Sequence, residues 1–98
     1  MYIIRDIFHL RFGAYKEAKA LLDEAYSNGV LPDAKSSRIL SDFTGESCRL
    51  VFEEGYDSLA EYEQSLNETM NKADWKKWYE KFKQHVAGSQ REILKQVM

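Results

Sequence analysis

Hydrophobic residues alternate imperfectly over residues 2–12, a stretch rich in the Ile, Phe and Tyr that favour pleated strands. One face of such a strand carries Tyr2, Ile4, Asp6, Phe8, Leu10 and Phe12. The other carries Ile3, Arg5, Ile7, His9 and Arg11. Both faces are partly apolar, which predicts a central strand covered on both sides, with Gly13 ending it. Over 14–28 the period becomes helical. Ala14, Ala18, Leu21, Leu22 and Ala25 form one stripe, and Lys16, Glu17, Lys19, Asp23 and Glu24 lie outside it. Asn28-Gly29 supplies a left-handed stop, and Pro32 prevents the helix from resuming.

Two strands follow, over 34–43 and 47–54, joined by a short hairpin at Thr44-Gly45-Glu46. The first is polar (Lys35, Ser36, Ser37, Arg38, Ser41, Asp42), as suits an edge. The second, through Cys48, Leu50, Val51 and Phe52, reads as interior until Gly55 breaks it, with Cys48 a small buried strand residue. Ser58 and Glu61 form a capping box, with Asp57 adding favourable charge at the helix start. Leu59, Tyr62, Leu66 and Met70 line one side of that helix, and 71–74 reads as a break. A further helix over 75–87 is cleanly amphipathic, with Trp75, Trp78, Tyr79, Phe82 and Val86 on one face and His85 at its margin. Gly88 stops it, and 91–97 forms a last strand.

This order predicts an α+β fold, ferredoxin-like βαββαβ with an extra helix before the last strand. The sheet is four-stranded and antiparallel, and the helices lie on one face. No residues remain to cover the other face, so a second copy of the chain is the economical cover. Residues 1–98 suffice for one domain. A composition of 44% hydrophobic and 31% charged residues excludes intrinsic disorder, and 14 basic against 16 acidic residues give no general attraction to nucleic acid or anionic membrane. Cys48 is the only cysteine, which leaves no internal disulfide or cysteine-rich zinc site. The opening Met1-Tyr2-Ile3-Ile4-Arg5-Asp6 lacks an apolar run of signal-peptide length, and no apolar run is long enough for a bilayer; the expected location is cytoplasmic.

Several segments are similar to those of the NIPSNAP-like proteins of the dimeric α+β barrel superfamily. They are Tyr2-Ile3-Ile4-Arg5-Asp6 with Leu10-Arg11-Phe12-Gly13, the hairpin around Gly45, Leu59-Ala60-Glu61-Tyr62, and Asp74-Trp75-Lys76-Lys77-Trp78. The resemblance implies a homodimer in which two four-stranded sheets close into a barrel. That superfamily also contains cofactor-free oxygenases and haem-degrading monooxygenases, so the fold leaves function open. In the haem-degrading group a tryptophan is followed ten residues later by a histidine that ligates the iron, and Trp75 and His85 match that spacing. Those enzymes also use an asparagine on the first strand. Asp6 occupies that place, and an ionised carboxylate cannot donate as an amide does.

The residues themselves offer three candidate groups. Trp75, Trp78, Tyr79 and Phe82 describe the aromatic wall of a ligand pocket or a packed core. Asp6, on an apolar face, is a candidate proton acceptor or the partner of an arginine or tyrosine. His9 and Arg5 hold an anion if their face lines a cavity, and pair with acids such as Glu53 or Asp42 if it meets a second subunit. His85 is a packed edge histidine, or a metal ligand only if haem binds; no cofactor and no other metal is expected. Phosphate loops, paired metal-binding motifs and nucleophile signatures are absent from the sequence. The expected function is small-molecule binding, of a hydrophobic or aromatic ligand, extending to a cofactor-free or haem-dependent monooxygenase; the alternative is a non-catalytic homodimeric interaction protein. Both an enzyme and a non-catalytic protein are compatible with this sequence.

Overall fold

The computed structural model describes residues 1–32, 34–44 and 48–98. Its elements are β1 (Tyr2–Leu10), α1 (Tyr15–Ser27), β2 (Ser36–Ser41), β3 (Arg49–Tyr56), α2 (Leu59–Met70), α3 (Ala73–Phe82), a 3₁₀ turn (Lys83–His85) and β4 (Val86–Lys95). The strands form one antiparallel sheet of order β2-β3-β1-β4. This is the expected ferredoxin-like arrangement: β1 and β3 are central, and the polar β2 is an edge exposed along its length. Residues Gly45 and Glu46 of the expected hairpin, and Ser47 at the expected start of the third strand, lie outside the described residues.

Alternation along β1 separates the two faces as the sequence implies. Pairing of Asp6 with Phe52 and of Phe8 with Leu50 puts these side chains beneath the helices. Phe82, Ile4 and Leu50 are fully buried, and the Ala14, Ala18, Leu22 and Ala25 stripe of α1 is buried too. Alanine at Ala18 and Ala25 keeps that surface low and lets α1 pack closely. Trp78 fixes α3 to α1 by donating its indole N–H to the Leu21 carbonyl at 2.7 Å. At α2 the Ser58 hydroxyl accepts from the Glu61 amide at 3.2 Å, the first half of the expected capping box.

Five local expectations are corrected. The last helix stops at Phe82, not Ala87, so Val86 and His85 are not on its apolar face. Val86 continues the helical spacing from Phe82, but pairing with Leu10 takes it into β4 instead. The last strand therefore begins at Val86 and not at Arg91. Gly88 does not stop a helix: it pairs with His9 next to a register shift in β4, where a glycine accommodates the irregular backbone. Gly55 does not break β3, which runs through it to Tyr56. A Cβ there would strike the Ser36 hydroxyl and come within 2.9 Å of the Met1 sulfur, so glycine serves close strand packing. Cys48 is half-buried just before β3, with a left-handed φ of 64°, rather than within the strand.

The face of Ile3, Arg5, Ile7 and His9 carries no helix. Leu40 and Leu94 are each 41% exposed there, because Leu40 pairs with Val51 and Leu94 with Ile3. Charges hold the centre of this face. Glu53, buried, accepts from Arg5 at 2.9 Å and from Arg38 at 2.6 Å, and Arg5 also approaches Glu92 at 3.7 Å. Farther along, Arg49 donates twice to Asp42 at 2.8 and 3.1 Å.

Candidate functional site

Helix α2 packs loosely. Of its residues only Thr69 is buried, while Leu59 and Met70, expected to face inward, are each 46% exposed. Tyr62 and Leu66 are half-buried. Between α2, α3 and the sheet lies a cavity of about 540 Å³. Its size falls in the range that holds small organic ligands.

Aromatic rings make the walls. Phe8 meets Phe52 at a centroid distance of 4.9 Å and Phe82 edge-on at 5.2 Å. Trp75 stacks on Tyr79 at 4.8 Å and Trp78 on Phe82 at 4.9 Å. The helical spacing of residues 75, 78, 79 and 82 places all four around the cavity. Phe82 and Trp78 are also core residues, so the stripe is both packing and lining. This resolves the sequence alternative between a pocket wall and a core: Trp75 and Tyr79 stay half-buried, while Trp78 and Phe82 are buried.

The polar groups gather at one end. Asp6 on β1 accepts from the Arg91 Nε at 2.5 Å, so the arginine pairing is the one realised. Glu54 on β3 accepts from the Tyr56 hydroxyl at 2.7 Å, and that hydroxyl lies 3.2 Å from the Ser65 Oγ on α2. Burial raises the Glu54 carboxyl above its ordinary value, and the charge of Asp6 pushes the same way against the Tyr56 hydrogen bond and Arg91. Burial likewise raises the Tyr56 and Tyr62 hydroxyls. The Tyr62 hydroxyl is buried with no hydrogen-bond partner among the described residues.

Of the candidate residues, the structure brings Asp6, Trp75, Trp78, Tyr79 and Phe82 together around the cavity. Arg5 and His9 are elsewhere, on the helix-free face. There Arg5 binds Glu53 and the positive field of His9 adds a small part to the lowering of Asp42, which is due first to the Arg49 hydrogen bond. His85 sits in the 3₁₀ turn, half-buried, where its carbonyl accepts from the Arg11 amide at 2.8 Å. It is not among the residues that line the cavity, and neither is any other histidine. Haem therefore does not fit: the histidine that the tryptophan spacing suggests as its ligand lies outside the cavity, and Asp6 is held by Arg91. Among the described residues no cluster of three or more His, Cys, Asp or Glu is arranged to hold a metal ion, and no helix is long and apolar enough to cross a membrane.

Glu54, Tyr56 and Arg91 were not singled out from the sequence. Strand alternation from Leu50 and Phe52, which pair with Phe8 and Asp6 on the inner face, carried through to Tyr56 puts Glu54 and Tyr56 beside them. Arg91 needs the β1–β4 register, which sequence alone does not provide.

No protein-family model matches the chain, and no curated protein does. Solved structures do. A protein of Agrobacterium tumefaciens, a NIPSNAP family member with unknown function, superposes with a TM-score of 0.88 at 14% identity, over 97% of this chain and 92% of that one. An uncharacterized NIPSNAP domain protein from Burkholderia xenovorans gives 0.84 at 11% identity, over 99% and 95%. The fold is that of the NIPSNAP proteins. An antibiotic biosynthesis monooxygenase shares it at 12% identity and a TM-score of 0.73, over the whole of both chains. At such identities the likeness to NIPSNAP proteins and to the monooxygenase is one of fold alone, and the chemistry has to be read from this chain's own cavity.

Proposed function

We propose that this chain is a NIPSNAP-like binding protein for a small, largely apolar ring compound. The observation that carries the reading is the cavity of about 540 Å³ with aromatic walls and polar groups confined to one end. Binding is favoured over chemistry. The one carboxylate suggested as a proton acceptor, Asp6, is committed to Arg91, and the likeness to the monooxygenase is at the level of fold. The intact protein is to be heated with a panel of mono- and bicyclic aromatic compounds while Trp75 and Trp78 fluorescence is followed. A fitting compound at 100 times its Kd adds about 2.7 kcal/mol of stability and quenches saturably. A panel that shifts no melting temperature and quenches nothing saturably would refute the reading.

The same reading includes a homodimer joined through the helix-free face. Exposed Leu40 and Leu94 beside buried Glu53 support it, since an apolar sheet surface interrupted by satisfied ion pairs suits a self-complementary contact. Light scattering is expected to give twice the 11.5 kDa chain mass, and Leu40→Asp is expected to halve it. A wild-type protein at the single-chain mass rejects the dimer and leaves the cavity untouched.

A further inference from the structure

Resting on that reading, we propose that the cavity selects a neutral ligand, a flat aromatic body bearing one carbonyl oxygen, and rejects the isosteric carboxylate.

The argument starts from Tyr62. Its hydroxyl is buried and unpartnered among the described residues, and a donor left so forfeits about 1–3 kcal/mol. Its ring lines the cavity, at the end where Asp6, Glu54 and Arg91 also stand. Arg91 is the neighbour able to yield room, since its side chain is 48% exposed while that of Asp6 is 15% exposed. An oxygen acceptor entering there satisfies the orphan hydroxyl.

The charge of the acceptor is decided by its surroundings. Asp6 already neutralises Arg91 through the Nε contact. Glu54 brings a second carboxyl to the same end, held by Tyr56 with Ser65 alongside. An incoming carboxylate would face two acidic side chains and one arginine whose charge is spent. Like charges brought together in a poorly hydrated site repel strongly. A carbonyl accepts the same hydrogen bond and carries no net charge. The rings of Phe8, Phe52, Trp75 and Tyr79 supply the flat apolar surroundings for the ligand body.

Three probes separate the contributions: naphthalene, 2-naphthamide and 2-naphthoate, measured by equilibrium dialysis against the intact protein at pH 7. Naphthamide is expected to bind at least about tenfold more tightly than naphthoate. Tyr62→Phe is expected to bring naphthamide down to that variant's own affinity for naphthalene, and an unchanged circular dichroism spectrum shows that the variant is folded. Glu54→Gln is expected to raise naphthoate affinity severalfold, a gain that misfolding does not produce. Naphthoate binding as tightly as naphthamide, or a Tyr62→Phe variant that keeps the full naphthamide affinity, overturns the proposal while the cavity reading stands. Failure of all three probes to bind overturns both.

Discussion

Glu53 and Glu54 are consecutive in β3, and the structure treats them in opposite ways. Glu53 points to the helix-free face and accepts from Arg38 and Arg5. The Arg38 hydrogen bond, the largest influence, lowers its carboxyl below the ordinary value, with Arg5 helping and desolvation resisting. Glu54 points into the cavity beside Asp6, and desolvation raises it. One residue of strand alternation thus separates a charge that is paired from a charge that is resisted. The two faces of this sheet differ in the same sense throughout. The outer face is an apolar surface threaded by closed ion pairs, whereas the inner one is an aromatic core that stops short of closing under α2.

The largest test of that contrast removes Phe82, which stacks on Trp78, meets Phe8 edge-on and is 1% exposed. Phe82→Ala is expected to cost about 3–5 kcal/mol in urea unfolding. Because the loss falls on the inner face, light scattering on the folded fraction should show the wild-type mass. A cost below about 1 kcal/mol would mean that the rings around the cavity are not the core.

The middle-sized effect is on the outer face. Glu53→Gln removes the charge shared by Arg5 and Arg38 and is expected to cost about 1–3 kcal/mol at pH 7. Arg38 is 70% exposed and keeps much of its hydration, which favours the lower half of that range. A carboxyl lowered in the folded state stabilises above its unfolded value of 4.5 and loses that contribution as pH falls through its folded value. The wild type should therefore lose stability below about pH 4.5, while Glu53→Gln is flatter there. Parallel acid curves for the two proteins would break the assignment.

What the sequence made legible follows the same division. Alternation over 2–12 separated the faces of β1 because the strand period is 2, and the polar run through Lys35, Ser37 and Arg38 marked an edge because edge strands face water. The α3 end was not legible. Val86 stands four residues after Phe82, so the helical pattern continues past the point where long-range pairing with Leu10 ends it. Glycines misled for a related reason: Gly55 and Gly88 look like local stops, but what demands them is a neighbouring strand. Within the site, the aromatic stripe was visible from helical spacing alone. The Asp6–Arg91 pair was not, because it spans the β1–β4 register and depends on β4 beginning at Val86. His85 illustrates the converse, since a ten-residue spacing from Trp75 has meaning only if one helix carries both residues.

The smallest expected effect carries the opposite sign. Glu54→Gln keeps an acceptor for the Tyr56 hydroxyl while removing a carboxyl that burial disfavours in its ionised form. A carboxyl raised in the folded state costs nothing below its unfolded value of 4.5 and imposes its full penalty only once pH exceeds the folded value. Asp6 on β1, Arg91 on β4, Tyr56 on β3 and Tyr62 with Ser65 on α2 face the group, and the Asp6–Arg91 pair cancels most of its own field there. Desolvation thus decides the sign. At pH 7 the substitution is expected to stabilise the fold by about 0.5–1 kcal/mol, and the gain should fade as pH falls toward 4.5. Urea unfolding of both proteins at pH 5 and pH 7 measures it. If Glu54→Gln destabilises at pH 7 as Glu53→Gln does, the inner carboxylate is paired after all, and the contrast between the two faces does not hold.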